Sequence, residues 1–345
     1  LLRFAGLSGP VFFCGKIELM VITILVLLGI IFGSFVSALV WRLRQQELNS
    51  AKVIPAKDPR SVILNKVKDL FVIVTNRSFG RPQDDRTGKS KLLSTLNSQL
   101  STHDQYSILT GRSMCPNCHH ELSAKDLIPI FSWLMLGGKC RYCHKPISAQ
   151  YPIVELVTGL LFVTSYIYWP MSLVGRPHQA IFALWLAMLV GFVALTIYDL
   201  RWMLLPNRLV YPLAVLASVF SVISIAGATN HVDAFLNNLL AVIVGGGIFY
   251  VLFQVSAGKW IGGGDVKLGW LLGLILTTPG KAVLMIFVAS LLGTLFSLPL
   301  LMSGKLKQHS IIPFGPFLIV AAYIVMLFGQ NIIHWYTRSL LITGN

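Results

Sequence analysis

Apolar residues in this chain come in long unbroken runs rather than in the spaced stripes of a soluble helix. Eight runs stand out, near residues 17–40, 152–169, 180–198, 209–228, 234–257, 267–278, 282–303 and 316–335. A helix needs about 20 apolar residues to cross a bilayer. The pattern therefore predicts an all-α polytopic membrane protein with about eight transmembrane helices. The sixth run is short and contains glycine, so it is expected to enter at a tilt or to start inside the membrane. The first is too long for the apolar region of a signal peptide, and no small-residue cleavage site follows it. Residues 1–16 read as a mis-set start or a fragment boundary. Composition agrees with the pattern: the 345 residues are 55% hydrophobic and 12% charged, and the mean hydropathy is +0.72.

The polar positions are as informative as the apolar ones. Between the first and second runs lies a long polar stretch, and 17 of the 28 Lys and Arg residues fall in 41–150. If that stretch faces the cytoplasm, eight crossings put the turns near 199–208, 258–267 and 304–312 on the same side, giving 23 basic residues inside and 5 outside. That split follows the positive-inside rule. It places both termini outside, and it assigns the net charge of +15 to membrane lipid rather than to nucleic acid. The expected organisation is 1–44 with the first helix, 45–150 as a cytoplasmic loop and 151–345 as a seven-helix membrane domain. Within the loop, Ile63, Val67, Leu70, Phe71 and Val74 recur at helical spacing, as in a helix lying on a membrane surface or a partner. Residues 80–104 have little to bury and read as a mobile linker. In the first helix Gly33, Ser34, Ser37 and Ala38 share a small-residue face suited to close packing, and Arg42 and Arg44 anchor its inner end.

The last part of the loop, 113–150, holds Cys115-Pro-Asn-Cys118 and, 21 residues later, Cys140-Arg-Tyr-Cys143. Two Cys-x-x-Cys pairs at this spacing predict one tetrahedral four-cysteine zinc site, with Gly137 and Gly138 letting the second knuckle turn. His119 and His144 follow the two pairs, so each also reads as a c-type haem attachment site. That chemistry belongs outside the cytoplasm, against the charge distribution, and His119, His120 and His144 are read as solvated knuckle residues.

Carboxylates are scarce after residue 151: Glu155, Asp199, Asp233 and Asp265 are all there are. Asp265 closes Gly262-Gly263-Gly264-Asp265, ahead of Val266 and Lys267. Side-chain-free backbone lets a substrate chain come close, which makes Gly262, Gly263, Gly264 and Lys267 candidates for the substrate approach. Asp199 falls at the inner end of the third run and Asp265 at the inner end of the fifth or start of the sixth, so topology puts both at one face and depth. Arg201 could instead pair with Asp199 and leave it inert. Asp233, beside His231, reads as a solvated outer residue. Glu155 lies one turn into its helix, where an anion is favoured, or else contacts a cofactor or a substrate amine. Pro313-Phe314-Gly315-Pro316 reads either as a rigid re-entrant turn near the Asp pair or as a plain helix start. Two nearby carboxyls can share a proton and hydrolyse a peptide bond, one as base on water and one as acid on the carbonyl. They could equally relay protons in a transporter, although a transporter gains nothing evident from a cysteine knuckle.

The Gly-x-Gly-Asp pattern resembles that of intramembrane aspartic proteases, and the chain as a whole resembles the type IV prepilin leader peptidases. The matching stretches run in order: Gly33-Ser34-Phe35 with Arg42, Arg112-Ser113-Met114-Cys115-Pro116, Asp126-Leu127-Ile128-Pro129 and Tyr151-Pro152 with Glu155. They continue with Asp199 and Leu205-Pro206, Gly264-Asp265-Val266-Lys267, and Pro313-Phe314-Gly315-Pro316. The resemblance implies cleavage of the basic leader from prepilins and pseudopilins at the cytoplasmic face of the bacterial inner membrane. It also implies Asp199 and Asp265 as the catalytic pair, zinc on the four cysteines, and N-methylation of the new terminus with S-adenosylmethionine. No methyl-donor site is identifiable, and Glu155 is the weak candidate. The chain departs from the family pattern in the 45–112 insertion, in Asn207 where members often carry Asp, and in its first 16 residues.

Overall fold

The computed structural model describes residues 11–53, 112–303 and 312–343. The readings made for 63–74 and 80–104 lie outside the described residues. Contacts divide the chain into one unit of Leu1–Val36, Pro129–Leu134 and Ser148–Asn345, and a second of Ser37–Ile128 and Met135–Ile147.

The described residues form helices and turns with two isolated bridges and no strand. The helices are α1 (Val11–Val53), α2 (Phe131–Met135), α3 (Gln150–Ile167), α4 (Arg176–Trp202), α5 (Asn207–Ala226), α6 (His231–Val255), α7 (Gly263–Leu276), α8 (Pro279–Met302) and α9 (Gly315–Thr343). Each apolar run falls on one helix, α1 and α9 extending well past their runs, but only seven of these helices are long and apolar enough to cross a membrane. The exception is α7. Its 14 residues span only about 21 Å, short of a hydrocarbon core of about 30 Å. At the other extreme, α1 runs past the expected boundary at 44 to Val53. Nothing there breaks a helix: Arg44 pairs with Glu47 at 3.2 Å, and Pro55 is the first residue that cannot continue one.

Within the first unit, α4 is the best enclosed of the helices long enough to cross a membrane. Ile181, Trp185, Met188, Leu189, Phe192, Leu195 and Tyr198 bury one helical stripe, and Asp199 extends that stripe toward its C-terminal end. The sequence of α4 therefore turns this carboxylate toward protein rather than lipid. By contrast α8 buries only Ala282, Met285 and Ala289, a narrow contact line on an otherwise exposed helix.

Helices in lipid gain nothing from hiding apolar surface from one another, so small residues that allow close packing carry the association. A Cβ added at Gly33 would lie 2.6 Å from Glu155 Cα, and one at Gly29 would lie 2.6 Å from Gly159 Cα. These two glycines, four residues apart, set α1 directly on α3. In the same way a Cβ at Gly273 would meet the Ala241 carbonyl at 2.7 Å, and one at Gly269 would run into the Gly245 carbonyl. The α6–α7 contact is thus backbone against backbone. Gly269→Leu should lower the thermal unfolding midpoint of the detergent-purified protein by an amount matching about 1–3 kcal/mol of overpacking; an unchanged midpoint would contradict this account of the contact.

Because α7 ends early, its last carbonyls need partners inside the bundle. Asn238 of α6 donates from Nδ2 to the Leu274 carbonyl at 3.0 Å and accepts from Ser221 Oγ of α5 at 2.8 Å. A second buried network joins three helices. Tyr323 of α9 donates to the Leu161 carbonyl of α3 at 3.0 Å and lies 2.6 Å from Thr164 Oγ1. Trp185 Nε1 of α4 donates to Ser165 Oγ at 3.1 Å. Asp233 is exposed, as expected, and sits in the first turn of α6, where the N-cap Asn230 accepts from its N–H and donates to its carboxylate.

Candidate active site

Three elements bring the two aspartates together. Asp199 is in the last turn of α4, whose end is closed by Met203 in the left-handed conformation, its N–H bonded to the Asp199 carbonyl at 2.8 Å. The chain then turns through Leu205, and Leu205 packs on Gly264: a Cβ there would lie 3.0 Å from Leu205 Cδ1. Gly264 thus admits the Leu205 side chain and seats the end of α4 against the start of α7. Asp265, in the first turn of α7, accepts a hydrogen bond from the Gly262 N–H. Gly262 and Gly263 make only ordinary contacts, with a Cβ at Gly263 lying 3.7 Å from Phe253 Cε2.

The third element is the N-terminus of α9. A Cβ built on Gly315 would lie 2.5 Å from Asp199 Oδ2 and 3.7 Å from Asp265 Oδ1. Those two distances leave the carboxylates at most about 6 Å apart, close enough to influence each other's ionisation. The Gly315 N–H donates to the Asp199 carboxylate, while Asp199 Oδ2 is buried with no hydrogen-bond partner among the described residues. Pro313-Phe314-Gly315-Pro316 therefore does reach the pair, and it does so as a helix start. Arg201 does not neutralise Asp199. Its Nη2 donates to Gln150 Oε1 of α3, and its guanidinium lies 5.8 Å from the Trp202 ring centroid. Lys267 is exposed and donates to Asn207 Oδ1 at 2.8 Å, tying α7 to α5.

Glu155 is buried, and its carboxylate accepts from the Ile130 N–H at 2.6 Å and from Ser34. Ile130 holds a left-handed backbone (φ 59°), unusual for a β-branched residue. These bonds brace α1, the 129–134 segment and α3. They leave a methyl donor without an assigned residue.

The second unit contains the cysteines. Sγ atoms of Cys115, Cys118, Cys140 and Cys143 all lie within 4.8 Å of one another, and Cys115 and Cys143 are 3.9 Å apart. Four thiolates at about 2.3 Å from a tetrahedral ion stand roughly 3.8 Å from each other, so the cluster could hold one metal ion. The two knuckles are built alike. His119 N–H bonds the Cys115 carbonyl at 2.9 Å and His144 N–H the Cys140 carbonyl at 3.0 Å, both histidines having positive φ. The Cys115 and Cys140 amides return to the His120 and Lys145 carbonyls at 3.0 and 2.9 Å. A single converged set of sulfurs is the arrangement of one metal site, not of two separate haem attachments. The Lys145 amide draws the Cys143 thiol down, but burial and the other three sulfurs push it up to about 11; a divalent cation reverses that balance.

Asp126 braces this unit. Arg141 Nε donates to it at 2.7 Å, Ser123 Oγ at 2.8 Å and Tyr142 at 3.3 Å, and the Tyr142 ring stacks on His120. Burial acts to raise the Asp126 carboxyl, but the bonds from Arg141 and Ser123 outweigh it and hold it below the usual range. A depressed folded-state value means the brace stabilises above the ordinary carboxylate range and is lost only on strong acidification.

Residues 27–169 match the family model described as Bacterial Peptidase A24 N-terminal domain, and residues 182–298 match that of the Type IV leader peptidase family. The second match contains Asp199 and Asp265; the first contains all four cysteines. A protein of Aeromonas salmonicida (strain A449) named "Prepilin leader peptidase/N-methyltransferase" is 34% identical over 243 residues, covering 70% of this chain and 80% of that protein. The chain belongs to the type IV leader peptidase family. A Bacillus subtilis (strain 168) protein of the same name is 31% identical over 236 residues, covering 68% of this leader peptidase and 89% of its relative. A Pseudomonas aeruginosa relative, again of that name, is 30% identical over 235 residues. No solved structure matches the chain. As a multi-pass member of a peptidase family, this protein is an enzyme of the membrane.

Proposed function

We propose that this leader peptidase cleaves the leader from type IV prepilins and pseudopilins with Asp199 and Asp265, and that it methylates the new N-terminus. The observation that carries the reading is the approach of the two carboxylates at Gly315, neither in an ion pair among the described residues. In this mechanism the ionised carboxylate takes a proton from water as the water adds to the scissile carbonyl carbon. The protonated one donates to the carbonyl oxygen. Collapse of the tetrahedral adduct breaks the C–N bond and passes a proton to the departing amine, which is the N-terminus of the mature pilin. Gly262 and Gly263, open beside Asp265, and exposed Lys267 form the proposed approach for an extended substrate segment.

The distribution of Lys and Arg supports a reaction at the cytoplasmic face of the inner membrane. Membrane lipid is the other partner, and no nucleic acid is required. For the cysteines zinc is the proposed ion: an all-thiolate tetrahedral set suits it, and all four positions are filled by protein, as in a structural site. Cys115, Cys118, Cys140 and Cys143 would hold it and fix the two knuckles. S-adenosylmethionine, when bound, would supply the methyl group; no residue here is assigned to it.

Mass spectrometry of a prepilin co-expressed with and without this gene tests both activities. The expected product lacks its leader and gains the mass of one methyl group. An uncut prepilin in the presence of the protein would overturn the peptidase reading, and a cut but unmethylated product the methyltransferase reading.

A further inference from the structure

Gly315 contributes to the dyad in a way that neither aspartate nor the Gly-Gly-Gly-Asp stretch reveals. It is the first residue of α9, and its φ requires no glycine. What requires glycine is the space above its α-carbon. A methyl group there would sit 2.5 Å from Asp199 Oδ2, 3.4 Å from Asp199 Cγ and 3.7 Å from Asp265 Oδ1. The first of these is closer than any real Cβ contact, and the neighbour is a short carboxylate at a helix end, not the tip of a flexible chain. That spot faces both carboxylates.

Two further observations meet at this point. Asp199 is 5% exposed, and its Oδ2 is buried with no hydrogen-bond partner among the described residues. Leaving a buried carboxylate oxygen unpaired is costly, and such atoms in native structures call for an explanation. The orphaned oxygen is the one turned toward the bare face of Gly315. Meanwhile the Gly315 N–H donates to the same carboxylate. Pro316 has no N–H to offer, so Gly315 supplies the leading donor of a helix whose positive end favours an anion.

We propose that Gly315 is a positioning residue of this active site: its side-chain-free α-carbon admits the Asp199 carboxylate to its place facing Asp265, and its N–H holds that carboxylate there. The inference rests on the peptidase reading of the Asp pair. A methyl group there pushes Asp199 aside and away from its place facing Asp265. Misplacement on the order of 1 Å in such a constellation costs about a hundredfold in rate.

The test is Gly315→Ala in the full-length, detergent-purified protein, assayed on a prepilin peptide for kcat and KM, with metal content and thermal unfolding as checks on the fold. The expected result is a fall in kcat of about a hundredfold or more, with KM changed less than about threefold. A general packing defect would instead raise KM or lower the unfolding midpoint without that split. Cleavage at the wild-type kcat overturns the inference. Asp199→Asn and Asp265→Asn run alongside: if they still cleave, the peptidase reading of the pair fails, whatever Gly315→Ala does. Should Gly315→Ala not accumulate, an experimental map of the wild-type protein decides. Asp199 Oδ2 packed on the Gly315 α-carbon and facing Asp265 supports the inference, and an Asp199 turned away from Gly315 overturns it.

Discussion

Asp265→Asn protein, co-expressed with a prepilin, should leave the leader attached. Asparagine keeps the shape of the side chain and can still meet the Gly262 N–H, so the start of α7 and its Leu205 contact are expected to survive. What it loses is the ability to give or take a proton. In a metal-free hydrolysis both proton transfers run through the pair, and each positioned acid or base contributes about 10²- to 10⁴-fold. Because the two act as a unit, losing one removes most of what both provide. Asp199→Asn should therefore be as inactive as Asp265→Asn, and the double variant scarcely worse than either. Cleavage is read by the mass of the pilin, with protein level and unfolding midpoint held as controls. Normal processing by either variant would sink the assignment, and full activity in one alone would show that the two carboxylates do not work together.

The second large effect concerns the metal. Cys115→Ser with Cys118→Ser should release the ion and unfold the knuckles. Among its described residues the 112–147 segment buries just Met114, Cys115 and Cys140 as apolar side chains; the rest of its order is backbone bonds at the two Cys-x-x-Cys turns and the Asp126–Arg141 brace. Structural zinc sites of this kind supply about 10–16 kcal/mol of apparent binding energy at neutral pH, far more than one ion pair with a half-exposed arginine can. Elemental analysis is expected to find about one zinc per chain in the wild type and none in the variant. Zinc retention should also fall on acidification, since the ligands must be thiolates and protonation competes with the metal. Leader cleavage is expected to survive better than methylation, because the dyad belongs to a unit with its own core. Intact methylation in the metal-free variant would defeat the link between the knuckles and methyl transfer. Zinc content unaffected by the double substitution would defeat the four-cysteine site itself.

Much of this molecule is written locally in the chain. Continuous apolar runs specify membrane helices because only a helix satisfies its own backbone in hydrocarbon, and all eight runs are helical. The cysteine pairs are equally legible, since knuckle spacing and one metal's ligand count are local constraints. Other features were not readable. The apolar run at 267–278 does not say that α7 is too short to cross, or that Asn238, some 36 residues away, caps its end. The tandem glycines before Asp265 suggested substrate access, yet Gly264 admits Leu205. Arg201, two residues from Asp199, was a plausible partner by proximity in sequence, but on a helix residues two apart point in different directions, and Arg201 finds Gln150 instead.

The sequence by itself determined a helical membrane protein, a four-cysteine cluster and a short list of acids scarce enough to stand out. Only the tertiary structure decided which of those acids meet. Asp199 and Asp265 come from the end of one helix and the start of another, and their approach depends on close glycine packing, the Leu205 contact and a third helix start at Gly315. Such contacts are set by packing between segments far apart in the chain, and no local pattern encodes them. The same holds for Glu155: only the fold brings the Ile130 amide onto its carboxylate.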